Sequence, residues 1–379
     1  MATLGDYISI KHGYAFKGDG ITTEDNGIVL VTPGNFAIGG GFKEGKCKFF
    51  NDVYPSEFVL SADDLIVTMT DLSKEMDTLG YSALVPESSR VYLHNQRIGL
   101  VSINREGLDK HYLYWFMRTR NYQRTIAGGA SGTTVHHTSP SRICEVEVDF
   151  PDLITQKKIA GLMDAIEGKI QKNEEVNENL LQQASSIYQA WFEDFVLSDG
   201  SCPSIWGQGT LSDIANISSG KRPPVKSAEK TDTAVIPLVG AASVMGYTTD
   251  ANHTDKILVT GRVGTHGVVQ RFNSPCWTSD NTLVITSNFY EYTFQILQRI
   301  DYHAMNRGST QPLITQGDMN KASILIPDKE TLLNFETLVG QLMEQYEANL
   351  LENGKLAELR DTLLPRLMSG ELDVSDLDL

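Results

Sequence analysis

Residues 151–192 read PDLITQKKIAGLMDAIEGKIQKNEEVNENLLQQASSIYQAWF, and residues 327–368 repeat the pattern as PDKETLLNFETLVGQLMEQYEANLLENGKLAELRDTLLPRLM. At an offset of 176 residues Ile159 falls on Phe335, Leu162 on Leu338, Ile166 on Leu342 and Ile170 on Tyr346. Asn173 then falls on Asn349, Asn177 on Asn353, Leu180 on Leu356, Ile187 on Leu363 and Trp191 on Leu367. The register holds without a gap, polar positions included. Apolar residues step by three and four, the period of a helix with one apolar face. Two long helices are therefore expected, over 153–197 and 328–370, each about 60 Å long at ~1.5 Å per residue. An apolar stripe of that length needs a partner. A folded domain between the two copies lets the second helix return antiparallel beside the first as a coiled coil. The expected seam is Ile159, Leu162, Ile166, Ile170, Leu180 and Trp191 against Phe335, Leu338, Leu342, Tyr346, Leu356 and Leu363.

A second match lies upstream at a different offset. Leu4-Gly5-Asp6 aligns with Leu211-Ser212-Asp213, Ile10 with Ile217 and Gly13 with Gly220, all 207 residues apart. The chain is thus a tandem duplication, and the first copy carries 31 more residues between its matching ends. Between those ends lie short apolar runs bounded by turn residues, such as Ile28–Val31, Leu65–Thr68 and Gly99–Ile103 in the first copy. Val235–Val239, Ile257–Val259 and Thr282–Ile285 are their counterparts in the second. The expected fold is α+β, with two β-rich globular domains (1–152 and 205–327) on two paired helices, a pseudo-twofold repeat ending in an acidic tail, 371–379.

Composition fits this plan. The 379 residues are 41% hydrophobic and 21% charged, enough for several packed cores. The net charge is -16, but residues 205–327 sum to +1, while 328–379 sum to -8. Acid concentrates on the second helix and tail, which suits a protein-docking surface better than a DNA surface. Two loops stand out as basic: Lys221, Arg222 and Lys226 in GKRPPVK, and Lys43 and Lys46 in FKEGKCK. Four scattered cysteines without a CxxC pair argue against a zinc ribbon or disulfide framework and point to a reducing, cytoplasmic setting.

Several catalytic patterns fail on inspection. Gly40 to Lys46 imitates a phosphate loop, but Cys47 stands where Ser or Thr should bind magnesium, and the sequence after it is extended rather than helical. Pro151-Asp152 with Glu167-Gly168-Lys169 imitates a nuclease set, yet Glu167 and Lys169 fall inside the long helix. His136-His137 would point to opposite faces of a strand. No adenine-methyltransferase motif or metal-ligand set is present, so a non-catalytic chain is expected. A structural adaptor binding only proteins is the alternative from another class.

The starts LGDYISIKHG and LSDIANISSGKRPP, the runs SDNTLVI (279–285) and GSTQPLITQGDMNKASILIP (308–327), and residues 150–192 together carry a family resemblance. Nearly the whole chain resembles the DNA-specificity subunit of type I restriction-modification systems. The first copy departs from the pattern, with GASGTTVHHTSPSRI where the second has GSTQPLITQGDM. The resemblance implies two target-recognition domains, each reading one half of a split, asymmetric sequence in double-stranded DNA. It implies helices that set the spacer and dock two copies of an adenine-N6 methyltransferase subunit, with a motor-nuclease restriction subunit joining them. No cofactor is expected in this chain; S-adenosylmethionine, ATP and magnesium would serve the partner subunits. Base reading needs polar or basic side chains on loops that enter the major groove. Candidates are Arg222, Arg262, Arg307, Thr310 and Gln311 in the second domain, and Lys11, Lys17, Ser131, Thr133 and His136 in the first, with the basic-loop lysines on phosphates.

Overall fold

The computed structural model describes residues 2–45, 47–73, 75–132, 134–305 and 313–375. Contacts divide the chain into two compact units, Met1–Lys172 with Glu352–Leu379, and Asn173–Leu351. Each unit holds one globular domain and part of both long helices, which span Leu153–Phe192 and Lys329–Met368. Both helices start on the same device. Asp152 accepts from the Ile154 and Thr155 amides and the Thr155 hydroxyl; Asp328, 176 residues on, accepts from Glu330, Thr331 and the Thr331 hydroxyl. Hydrogen bonds from those threonines hold both carboxyls below their ordinary range. The first helix stops at Phe192, five residues before the expected end at 197, because Phe195 turns left-handed at φ 52°.

In the first unit Ile8–His12, Ile98–Ile103, Leu65–Thr68 and Ser82–Leu84 form an antiparallel sheet in that order. A five-stranded sheet adjoins it in sequence, with Val91–His94 paired parallel to Ile28–Val31. The helix Lys110–Phe116 anchors this domain to the first long helix. Its Trp115 is fully buried and donates from Nε1 to Asp164 Oδ1 at 2.7 Å. Arg118 follows, with its guanidinium 4.3 Å over the Trp115 ring and 3.5 Å from Glu167. Arg360 of the second long helix meets the other oxygen of Glu167 at 2.8 Å, and Asn353 Nδ2 donates to the Ile170 carbonyl. Residue numbers rise on one helix as they fall on the other, so the pairing is antiparallel.

The second unit repeats this plan with fewer strands. Ala215–Ser219, Thr282–Ser287, Ile257–Gly261 and Val269–Phe272 form its main sheet, and Val244–Thr248, Ile236–Val239 and Trp277–Thr278 a smaller one. Arg271, on the edge strand, is buried between Glu291 at 2.6 Å and Glu347 of the second long helix at 3.0 Å, and stacks 4.8 Å from both Tyr290 and Phe294. Glu336 of the same helix accepts the Glu291 and Tyr292 amides at the start of the helix Tyr290–Arg299. Here too the long helices run antiparallel: Phe192 packs on Phe335, and Asn349 Nδ2 donates to Asn177 Oδ1 at 2.9 Å.

Burial refines the expected seam. Ile159, Ile166, Leu180 and Phe335 are buried, whereas Leu162, Ile170, Trp191, Leu342, Tyr346, Leu356 and Leu363 lie half-buried on its margins. Leu338 is not a seam residue, being 42% exposed. Three residues past Phe335 is ~60° short of a full turn. The buried stripe therefore passes through Val339 and Met343 instead. The polar run QKNEEVNEN nevertheless places Asn173 and Asn177 inside the stripe, with Asn349 also buried.

Truncating one partner of a buried ion pair leaves the others uncompensated, at a cost of about 3–5 kcal/mol. Arg271→Met should therefore lower the melting temperature of the second unit by calorimetry. Adding Glu291→Gln and Glu347→Gln should recover most of the loss. A melting profile unmoved by Arg271→Met would contradict this docking role.

Candidate nucleic-acid interface

Each domain builds the same hydrogen-bonded frame at one end of its main sheet. In the first, the chain leaves the strand Ile8–His12 at Gly13, where an added Cβ would sit 2.2 Å from the Asn95 carbonyl oxygen. Only glycine lets the backbone pass so close. Gly13 N then donates to Ile98 O, Tyr14 N to His94 O and Gln96 N to Tyr14 O. This clamps the exit loop onto the turn Asn95–Gln96–Arg97. Onto that turn come two further segments: Met69 N donates to Arg97 O, and Thr138 N to Met69 O.

The second domain repeats the frame with other side chains. A Cβ on Gly220 would lie 2.1 Å from the Ser279 carbonyl oxygen. Gly220 N donates to Thr282 O, Lys221 N to Thr278 O, Arg262 N to Asn281 O and Ile314 N to Arg262 O. So the backbone is held fixed in both copies while the side chains it presents differ: Tyr14, Gln96 and Arg97 in one, Lys221, Arg262 and Asn281 in the other. Arg, Gln, Asn and Lys are the donors that read base edges and phosphates.

Two buried groups shape the frame of the first domain without adding positive charge. Burial works against the charge of Asp71, but hydrogen bonds from Thr78 and Ser73 outweigh it and hold the carboxyl below its ordinary range. They tie Asp71 to Ser73 and to Thr78. Burial likewise lowers His94, which stays neutral and donates from Nε2 to Ile98 O.

The expected contact residues divide accordingly. Lys221 and Arg262 lie in the frame, Arg222 follows it, and the Arg262 Nε is buried with no partner among the described residues. His136 pairs with Asp71, and Ser131 with His137, beside the frame of the first domain. Lys17 is exposed four residues past Gly13. Lys11 is exposed on the strand that leads into the frame, with its ammonium over the Phe58 ring and its proton given to Glu57 O. Lys43 and Lys226 hang on other elements: Lys43 N binds Asn35 O, and Lys226 precedes Ser227, which bridges to Tyr247 in the smaller sheet. Lys46, Thr133, Arg307, Thr310 and Gln311 lie outside the described residues. Sequence reading did not single out Gln96, Arg97 and Asn281, which the frame presents. A third internal match would have found them, since Asn95–Val101 falls on Ser279–Ile285 at an offset of 184. Among the described residues no group of three or more His, Cys, Asp or Glu is placed to hold a metal ion.

Comparison with known proteins gives one consistent result. The model of the type I restriction modification DNA specificity domain matches residues 1–182 and again 203–361. The specificity subunit of the type I restriction enzyme MjaIX from Methanocaldococcus jannaschii is 25% identical over 313 residues, 73% of this chain and 72% of that protein. The specificity subunit of the HindI enzyme from Haemophilus influenzae is 24% identical over 344 residues, covering 67% of this chain and 75% of its own. The crystal structure of a type I S subunit from M. genitalium superposes with a TM-score of 0.60 at 18% identity, over 96% of this chain and 94% of that one. That likeness bears on the fold alone.

Arg97→Ala and Arg222→Ala should each weaken duplex binding by the partner-loaded protein, whereas Lys43→Ala should not. A lost phosphate contact would reduce the salt slope by about one; a lost base contact would relax one target position by ~1–3 kcal/mol. Titrations over a salt series and a set of target variants separate the two. Unchanged binding for both arginine variants would remove the frame as the interface.

Proposed function

The chain belongs to the type I restriction-modification DNA specificity family, and from that premise we propose how its two halves divide the work of reading DNA. It is the DNA-recognition subunit of its complex, distinct from the methyltransferase and nuclease subunits. Each globular domain reads one half of a bipartite, asymmetric target. The observation that carries this reading is the frame built twice: one backbone arrangement at Gly13 and Gly220, presenting different donors in each copy. A reader of two unlike half-sites needs a common scaffold with divergent edges.

The long helices set the spacer between the half-sites and dock two methyltransferase copies, with a motor-nuclease subunit completing the complex. S-adenosylmethionine, ATP and magnesium act in those partners. The acidic, exposed faces of the long helices suit protein docking, since a phosphate backbone would be repelled there. No helix among the described residues is long and apolar enough to cross a membrane. A cytoplasmic complex acting on the chromosome fits this role.

The test is exchange of one reader. Residues 205–327 replaced by the matching segment of another family member should change one half of the methylated sequence and leave the other half and the spacer intact. Mapping methylated adenines in cells that carry the chimaera reads this out. A change in both halves at once would show that the domains do not read independently.

A further inference from the structure

The repeat is symmetric in backbone but not in its buried charges. In the first unit Glu167 and Arg360 meet across the two long helices at 2.8 Å, both side chains 20% exposed, with Arg118 closing the cluster at 3.5 Å. Under the 176-residue repeat, Glu167 corresponds to Met343 and Arg360 to Ala184. Both equivalents are buried in the apolar core of the second unit, Met343 at 1% and Ala184 at 0% exposure. One helix crossing therefore carries an ion pair, and its symmetry mate carries methionine and alanine.

We infer that this asymmetry is a pairing code, by which each long helix accepts the other repeat and rejects a second copy of itself. The tandem repeat makes self-pairing a real competitor, because both helices carry the same apolar period and some inner positions are identical. Asn173 corresponds to Asn349, Asn177 to Asn353 and Leu180 to Leu356 in the other copy. Suppose two second repeats paired. Arg360 of one would then enter the fully buried place of Ala184, beside Met343, having lost Glu167 and keeping only the exposed Asp361 of its own helix. A guanidinium in that site is both too large and poorly compensated. Suppose instead two first repeats paired. Ala184 would then stand where Arg360 belongs, leaving a cavity and stripping Glu167 of its closer cation. Only the mixed pairing satisfies both crossings. The inference concerns assembly and does not depend on how DNA is read.

The full-length protein can be tested after folding. A protease site placed at the exposed residues Ser201 and Cys202 lets the intact chain be cut between the repeats. The cut protein, unfolded in urea and refolded, is then sorted by native mass spectrometry. Mixed pairs should prevail, with self-pairs at least about tenfold below their statistical share, the ratio that ~1.4 kcal/mol sets. The same protein carrying Glu167→Met and Arg360→Ala has equivalent residues at both crossings, and its self-pairs should rise several-fold. A statistical mixture in the cut wild type, or no rise in the double variant, overturns the code. Should the cut halves fail to refold, the intact chain decides. Ala184→Arg must lower the melting temperature of the second unit markedly while Ala184→Ser lowers it little, and equal melting for the two overturns the inference.

Discussion

One hydrogen bond between two buried asparagines, from Asn349 Nδ2 to Asn177 Oδ1, fixes which residue of one long helix faces which residue of the other. An apolar seam with steps of three and four tolerates a slip of one heptad with modest loss of packing. A buried amide left without its partner costs ~1–3 kcal/mol, so the slipped register loses what the seam alone would forgive. Asn177 Nδ2 also donates to the Tyr346 carbonyl, and Asn353 Nδ2 to the Ile170 carbonyl. These last two bonds are equivalents under the repeat, one in each unit. Each unit thus carries its own register lock.

The docking of each domain depends on that register. Glu167 must face Arg118 and Arg360, and Glu347 must face Arg271, for the charges to be compensated out of water. Burying such groups does not by itself add much stability, but mispairing them is expensive. The arrangement therefore acts more as a selector of geometry than as glue. It leaves the ends of the sheets free to vary, because the frame at Gly13 and Gly220 is held by backbone hydrogen bonds that any side chain can share. Constant helices with divergent loops are what a modular reader requires.

The sequence made the tandem repeat, the two long helices and the β-rich domains legible, because apolar period and fixed offset are local signals. It misjudged Leu338, since a step of three is as good a helical step as four until the helices that carry Phe192 and Tyr292 pack on Phe335 and choose a side. It kept QKNEEVNEN within the first helix but did not place its asparagines in the seam, because polarity alone cannot distinguish a solvated stretch from buried asparagines that satisfy one another. The frame was the hardest part to see. Arg97 and Asn281 gain their place through backbone contacts with Met69 and Arg262, segments remote in the chain. Basic composition pointed instead to Lys43, which is exposed but held on another loop.

We propose that the length of the paired helices sets the spacing between the two half-sites. Lengthening both helices by seven residues, between Lys172 and Asn173 and between Leu351 and Glu352, falls at the boundary of the two units. It keeps the apolar stripe in phase to within ~20° and adds about 10 Å. At ~3.4 Å per base pair the spacer should grow by about three base pairs. The measurement is the map of methylated adenines in cells carrying that variant. Both half-sites should be unchanged and the gap between them longer; methylation at the original spacing would show that helix length does not set the spacer.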